Sequence, residues 1–335
     1  MTIPSKEVRL AGRPHGEPTL GLFTIDTVEL PDPQPGEVLV RNLFISVDPY
    51  MRGRMNATKS YVPPFELGKP LEGGAIGRVL QSNDSSIPEG TLVRSMFGWR
   101  EAFVAPAKAV QPFDPQGAPI PAFLGTLGMT GLTAWAGLFK IASLQDGETV
   151  FISAAAGAVG SVACQLAKFH GCRVIGSAGS PSKISFLQDE LKVDYAFDYH
   201  DGDPLKHLEA AAPGGIHVYF DNTGGPQLEA AIASLQHHGR IALCGAIAGY
   251  NHPMPGPRNL HSAIGKRLRL QGFIVSDFIK DLPQFQAEAI PALLSGELIH
   301  SETIVEGIDE APAAFLGLFE AGDRHVGKML VHVGD

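Results

Sequence analysis

Cysteine is scarce in this 335-residue chain: there are three, Cys164, Cys172 and Cys244. So odd and sparse a set excludes a disulfide framework as the organising device of the fold. The first 160 residues contain none, and His15 is the only histidine before His170. A structural zinc site needs closely spaced cysteines, and a catalytic one needs a comparable set of Cys or His ligands, so no metal site is expected. No segment reaches the roughly 18 consecutive apolar residues of a membrane-spanning helix. The opening MTIPSKEVRL lacks the apolar stretch of a signal peptide, so a reducing cytoplasm is the expected location. Positive charge is also short, with 26 Lys and Arg against 35 Asp and Glu and a net charge of −9. That balance argues against nucleic acid or an anionic membrane as the main partner. The one basic run, Lys266-Arg267-Leu268-Arg269, reads as the solvated end of an element.

What is present suits a globular protein with a large core: 44% of residues are hydrophobic, and the length accommodates two domains. Up to about residue 122 the chain is rich in proline and glycine, with short apolar runs such as Glu37 to Leu43, Gly77 to Leu80 and Thr91 to Arg94. Short strands between turn signals predict a β-rich domain. The pattern then changes. Thr149 to Ser153 reads as a buried strand, Val159 to His170 as a helix, Cys172 to Gly176 as a strand and Lys183 to Leu191 as a helix. Ala196 to Tyr199, His217 to Asp221, Arg240 to Cys244 and Gln271 to Val275 read as further strands, with a helix from Gln227 to Leu235. Strands alternating with helices predict an α/β, doubly wound parallel sheet. A last strand, Lys328 to Val333, is expected to return to the first domain. The expected division is 1–122 with 308–335, and 123–307.

The stretch AAAGAVG, Ala154 to Gly160, falls between the first strand and first helix of the alternating part. It is a G-x-G-x-x-G dinucleotide fingerprint with alanine at its first glycine. Strand, tight turn and helix is the setting that motif demands. Gly157 would admit a pyrophosphate to the backbone, and Gly160 would let the helix pack close to the sheet. The helix N-terminus would supply amide donors. Alanine at 154 fits if that residue has ordinary dihedrals. A site for NAD places Asp or Glu about 20 residues on, at the end of the second strand. Here that strand is followed by Gly179, Ser180 and then Lys183, with no acid before Asp189. A hydroxyl and an ammonium suit a 2′-phosphate, so NADP(H) is read over NAD(H).

Several stretches together resemble one family. They are Ser46-Val47-Asp48-Pro49-Tyr50-Met51-Arg52, Leu124 to Trp135, AAAGAVGSVACQLAK, Tyr219 to Gly225, Cys244 to Asn251, and Lys266 to Phe273. The chain resembles, over nearly its whole length, the zinc-independent medium-chain dehydrogenases/reductases of the prostaglandin reductase (leukotriene B4 12-hydroxydehydrogenase) and alkenal double-bond reductase family. Bacterial curcumin-reductase-like enzymes belong to it. The resemblance implies a GroES-like catalytic domain beside a Rossmann domain, and commonly a homodimer, for which an edge strand near Phe273 is the expected pairing site. It implies NADPH-dependent reduction of a carbon–carbon double bond conjugated to a carbonyl. It also implies cofactor contacts. Gly157, Ala158, Val159 and Gly160 would hold the pyrophosphate, with Ser180, Lys183 and Tyr199 at the adenosine phosphate. Asn222, Cys244, Gly245, Ala246, Ile247, Tyr250, Phe273, Ile274 and Val275 would line the ribose and nicotinamide, with Met129 and Thr133 nearby. Two positions depart from the family pattern: Thr130 replaces a frequent proline, and His325 replaces a usual asparagine near the nicotinamide.

The implied chemistry is hydride transfer to the β-carbon of a small hydrophobic enone or enal, with negative charge developing on the carbonyl oxygen. A donor aimed at that oxygen lowers the barrier. Tyr250 is the first candidate: its phenol would hydrogen-bond the enolate oxygen, the nicotinamide ribose, or both, or else only pack the cofactor. Tyr50, from the other domain, is the second, as a donor or as a pocket wall. Asp221 is read as a turn former bonding Thr223 and Gly224, and His237-His238 as residues at a helix end. A quinone reductase and a non-catalytic NADPH sensor are the competing readings.

Overall fold

The computed structural model describes residues 3–320, 322–323 and 325–334, which divide into two compact units. The first comprises 1–124, 302–320 and 329–335. Its seven-stranded sheet is built on Glu37–Ser46, which pairs antiparallel with Ala75–Ser82, Ala102–Pro106 and the late strand Lys328–His332. Leu330 faces Ser46 and His332 faces Phe44, so the chain's end does return to this sheet. Ile3–Leu10 and Phe23–Leu30 form a separate antiparallel ribbon. Phe23 stacks on the fully buried Trp99, and Phe315 meets both rings edge-on.

The second unit, 125–301 with 321–328, holds a six-stranded sheet. Its strands are β1 (Thr149–Ile152), β2 (Arg173–Ala178), β3 (Tyr195–Asp198), β4 (Ile216–Asp221), β5 (Leu235–Leu243) and β6 (Arg269–Gly272). All pairs are parallel and the order is β3-β2-β1-β4-β5-β6. That is the doubly wound dinucleotide-binding order, with the switch point between β1 and β4. Continuous apolar strands are what burial on both faces requires. Val150, Phe151 and Ile152 on β1, and Val218, Tyr219 and Phe220 on β4, are fully buried. The expected fold class is the observed one.

Helix α1 (Ala158–Phe169) buries Val162, Ala163, Cys164 and Ala167 against the sheet. It ends where Gly171, at φ +64°, takes the left-handed conformation. Gly171 N–H donates to Lys168 O and Cys172 N–H to Ala167 O, the paired bonds of a Schellman stop. Helices α2 (Pro181–Ser185), α3 (Pro204–Ala211) and α4 (Gly225–Ser234) follow. Lys266 Nζ donates to the carbonyls of Ile232 and Ala233 at the end of α4, so part of the basic run caps a helix.

Four expectations need correction. The helix expected over Lys183 to Leu191 is α-helical only over Pro181–Ser185, then widens into a π-helical turn over Phe186–Glu190. Proline at the first helical position sets the earlier start. The last strand is Arg269–Gly272 rather than Gln271 to Val275: Val275 already begins a 3₁₀ turn, and Phe273 packs edge-on against Phe220 and Phe278. His237 and His238 are not at a helix end, because α4 stops at Ser234 and both lie exposed on β5. Ala154 does not have ordinary dihedrals: its φ is +47°. No helix among the described residues is long and apolar enough to cross a membrane.

Candidate active site

The turn between β1 and α1 is the base of the site. Ala155 N–H donates to Ser177 O on β2, and Gly157 N–H donates back to Ala154 O. The left-handed Ala154 closes this turn, a conformation that costs an L-residue roughly 1–2 kcal/mol. The glycine that cannot be replaced is Gly160. A Cβ there would stand 2.3 Å from Ala154 O, so the helix approaches the turn closely only because the side chain is absent. Gly157 caps α1 with extended backbone, φ −82° and ψ 176°. The amides of Ala158, Val159 and Gly160 form the first helical turn, where no intrahelical acceptor exists.

At the end of β2 a polar cluster forms. Ser180 is buried at the N-terminal edge of α2, and its hydroxyl lies 3.4 Å from that of Ser182. Lys183 is half-buried, and desolvation lowers its ammonium pKa below the usual lysine range. Tyr199 lies over Gly179, where a Cβ would come within 2.7 Å of the phenol oxygen. Burial raises that phenol. Asp323 joins from far along the chain, accepting a hydrogen bond from the Ser182 hydroxyl. His325 lies near Lys183: burial first, then the charges of Lys183 and Lys328, lower its pKa to about 4. Its Nδ1 is buried without a hydrogen-bond partner among the described residues. Gly327 N–H donates to Ala156 O at 2.8 Å, which holds this segment against the glycine turn.

At the ends of β4 and β5 the backbone does most of the holding. Asp221 Oδ1 accepts from Tyr219 Oη, Thr223 N and Gly224 N at 2.8, 3.0 and 2.7 Å. Asp221 is the turn former expected of it, and burial raises its carboxyl above the usual range. Asn222 is fixed by Nδ2 donating to Ser153 O at 2.7 Å and its own N–H donating to Ser153 Oγ at 3.0 Å. Cys244 and Gly245 both donate N–H to Asp221 O, and Ile247 N–H donates to Asn222 O. Desolvation pushes the Cys244 thiol up to about 12, so at neutral pH it is a neutral wall and no nucleophile. Tyr250 follows a 3₁₀ turn, Ile247–Gly249, and its phenol folds back toward Gly245. Burial raises its pKa, while a hydrogen bond from the Ala246 backbone opposes that rise.

The remaining candidates are more dispersed. Met129 opens the helix Met129–Trp135 and is 40% exposed. Thr133 Oγ1 donates to Met129 O at 2.7 Å, and Thr130 Oγ1 is buried without a partner among the described residues. Phe273 packs its ring edge-on against Phe220 and Phe278 and is half-buried, as are Ile274 and Val275. Tyr50, in the first unit, precedes the single helical turn Met51–Arg54. Burial and then Asp48 raise its phenol, while the charge of Arg54 opposes them. Arg52 and Arg54 of the same stretch are buried: Arg52 Nη2 donates to Gly16 O and Arg54 Nε to Pro63 O, both at 2.8 Å. Sequence reading missed Ser153, Ser182 and Asp323. Ser182 sits two places beyond Ser180 and carried a signal; Asp323, 141 residues from Ser182, carried none. No cluster of three or more His, Cys, Asp or Glu side chains suited to a metal occurs among the described residues.

Comparison with known proteins adds independent findings. Residues 6–113 match the family described as "N-terminal domain of oxidoreductase", and residues 158–291 match "Zinc-binding dehydrogenase". The chain is 44% identical over 340 residues to a putative NADP-dependent oxidoreductase, YfmJ, of Bacillus subtilis, covering 100% of this chain and 99% of that protein. It is 39% identical to the NADP(+)-dependent 2-alkenal reductase of Nicotiana tabacum, covering 92% of this chain and 90% of the other. The structure of CurA from Vibrio vulnificus in complex with NADPH superposes with a TM-score of 0.92 at 35% identity, covering 98% of this chain and 99% of CurA.

Proposed function

Because the chain belongs to the medium-chain dehydrogenase/reductase family of the alkenal, curcumin and prostaglandin reductases, we propose that it is an NADPH-dependent reductase of the carbon–carbon double bond of small hydrophobic enones and enals. The observation that carries the reading is the place of Tyr250: it follows the turn beyond the carboxyl end of β5, and its phenol folds back to Gly245, 3.5 Å from where a Cβ would stand. Ligands of doubly wound sheets bind at that end of the strands.

The residues present suit NADPH. Lys183 is a half-buried cation whose charge is felt by Asp323, and the buried Nδ1 of His325 has no hydrogen-bond partner among the described residues. When bound, NADPH supplies the hydride that adds to the β-carbon. The amides of Ala158, Val159 and Gly160 hold the pyrophosphate, and Ser180 and Lys183 hold the 2′-phosphate, with Tyr199 beside them. Asn222, Cys244, Gly245, Ala246 and Ile247 shape the ribose and nicotinamide pocket, with Ile274, Val275, Met129 and Thr133 at its edge. Tyr250 donates to the substrate's carbonyl oxygen as it gains charge, and Tyr50 is the second donor of this reading. A buried, neutral phenol keeps its proton until an oxyanion forms next to it, which is the property the step requires. The same reading includes a homodimer paired along the edge strand β6.

The test follows NADPH oxidation at 340 nm with trans-2-nonenal, a chalcone and a quinone in parallel. Turnover of the enal and the enone is expected. Turnover of the quinone alone would replace this reading with a quinone reductase, and tight NADPH binding with no turnover would mark a sensor.

A further inference from the structure

The cradle assigned to the 2′-phosphate already holds an acid. Asp323 belongs to the segment anchored on the glycine turn, where Gly327 bridges to Gly157 and donates to Ala156 O. Its Oδ1 accepts from the Ser182 hydroxyl. The Ser180 hydroxyl lies beside that pair, 3.4 Å from the Ser182 hydroxyl, and Lys183 lies close enough for its charge and that of Asp323 to act on each other. The Ser180 hydroxyl first, then that of Ser182, holds the Asp323 carboxyl below the usual carboxylate range, so it is ionised at neutral pH.

Each serine hydroxyl has one proton to give. It cannot be given to Asp323 and to a phosphate oxygen at once. A carboxylate left beside a phosphate would also repel it. Asp323 is exposed and lies outside helix and strand, so its side chain is able to leave without disturbing the core. NADH makes no such demand. It has a ribose hydroxyl where NADPH has the phosphate, and a hydroxyl donates to a carboxylate.

We propose that Asp323 is an internal competitor for the 2′-phosphate. In the cofactor-free protein it holds the Ser182 hydroxyl beside Ser180 and Lys183, and NADPH binds by displacing it. Lys183 widens the preference for NADPH over NADH, and Asp323 narrows it. The residue is thus a specificity determinant set against the rest of its own pocket. The inference rests on the assignment of Ser180 and Lys183 to the 2′-phosphate, and the experiment keeps the two apart.

Dissociation constants for NADPH and NADH are measured by cofactor fluorescence on the wild-type chain and on Asp323→Asn, Asp323→Ala and Lys183→Ala. Both Asp323 variants are expected to bind NADPH about fivefold more tightly, the scale of an exposed charged contact. NADH binding is expected to stay the same or weaken. The gain shrinks as salt is raised, because the groups face solvent. If neither Asp323 variant binds NADPH more tightly while Lys183→Ala still loses NADPH selectively, the competitor role is wrong and the cradle stands. Equal tightening of both cofactors also overturns it, since a general charge effect then suffices. If Lys183→Ala weakens NADPH and NADH equally, the cradle assignment itself falls, and the competitor with it.

Discussion

The ends of β4 and β5 are joined by backbone: Cys244 and Gly245 donate to Asp221 O, Ile247 to Asn222 O and Ala248 to Thr223 O. At the end of β2, Ser180, Ser182, Lys183 and Asp323 meet only through side chains, three of them at least partly open to solvent. The first region is held in place before any ligand arrives. The second rearranges at small cost. In the proposed enzyme this division has a purpose: the reacting end is pre-organised, which lowers a barrier, and the discriminating end is adjustable, which sets cofactor choice.

Substitutions probe the contrast in order of expected effect. Gly160→Val places a side chain against Ala154 O and is expected to destabilise the fold by about 3 kcal/mol, read as a fall in the urea midpoint. An unchanged midpoint would mean that α1 does not need its close approach. Tyr250→Phe keeps the ring and removes the donor; kcat is expected to drop on the order of a hundredfold with little change in NADPH affinity. Loss of affinity with kcat intact would make Tyr250 a packing residue. Lys183→Ala is expected to weaken NADPH by about thirtyfold and NADH hardly at all, the scale of one charge-assisted contact. Ala154→Gly relieves the left-handed alanine and is expected to stabilise the protein by about 1 kcal/mol. No gain would show that the turn is not strained there.

The smallest effect at neutral pH belongs to His325. Its pKa is lowered from 6.5 to about 4, so the folded state holds it neutral. Stability linked to it is complete above pH 6.5 and is lost as pH falls toward 4, where the unfolded chain takes up the proton first. His325→Asn is expected to flatten that acid limb of the stability profile. An identical limb in the variant would assign the loss to other groups.

Much of this was legible in the residues. Apolar runs such as Val150-Phe151-Ile152 announce strands buried on both faces, and the spacing from Gly157 to Gly160 announces a strand–turn–helix loop. Local hydrogen bonding made Asp221 readable, because Thr223 and Gly224 are its neighbours in sequence. Three things were not readable. The left-handed Ala154 was hidden because an alanine gives no signal for positive φ, unlike the glycine it replaces in the fingerprint. His237 and His238 look like a helix terminus until β5 is seen to begin at Leu235. Asp323 reaches Ser182 only because the chain returns to the glycine turn after 141 residues, and no local pattern encodes that return.

The central claim is that reduction occurs at the carbon–carbon double bond. The most direct measurement supplies NADPH deuterated at the transferred position of its nicotinamide and locates the label in the product of trans-2-nonenal by NMR. The account predicts deuterium on the β-carbon of a saturated aldehyde. Deuterium on the former carbonyl carbon of an allylic alcohol would contradict it.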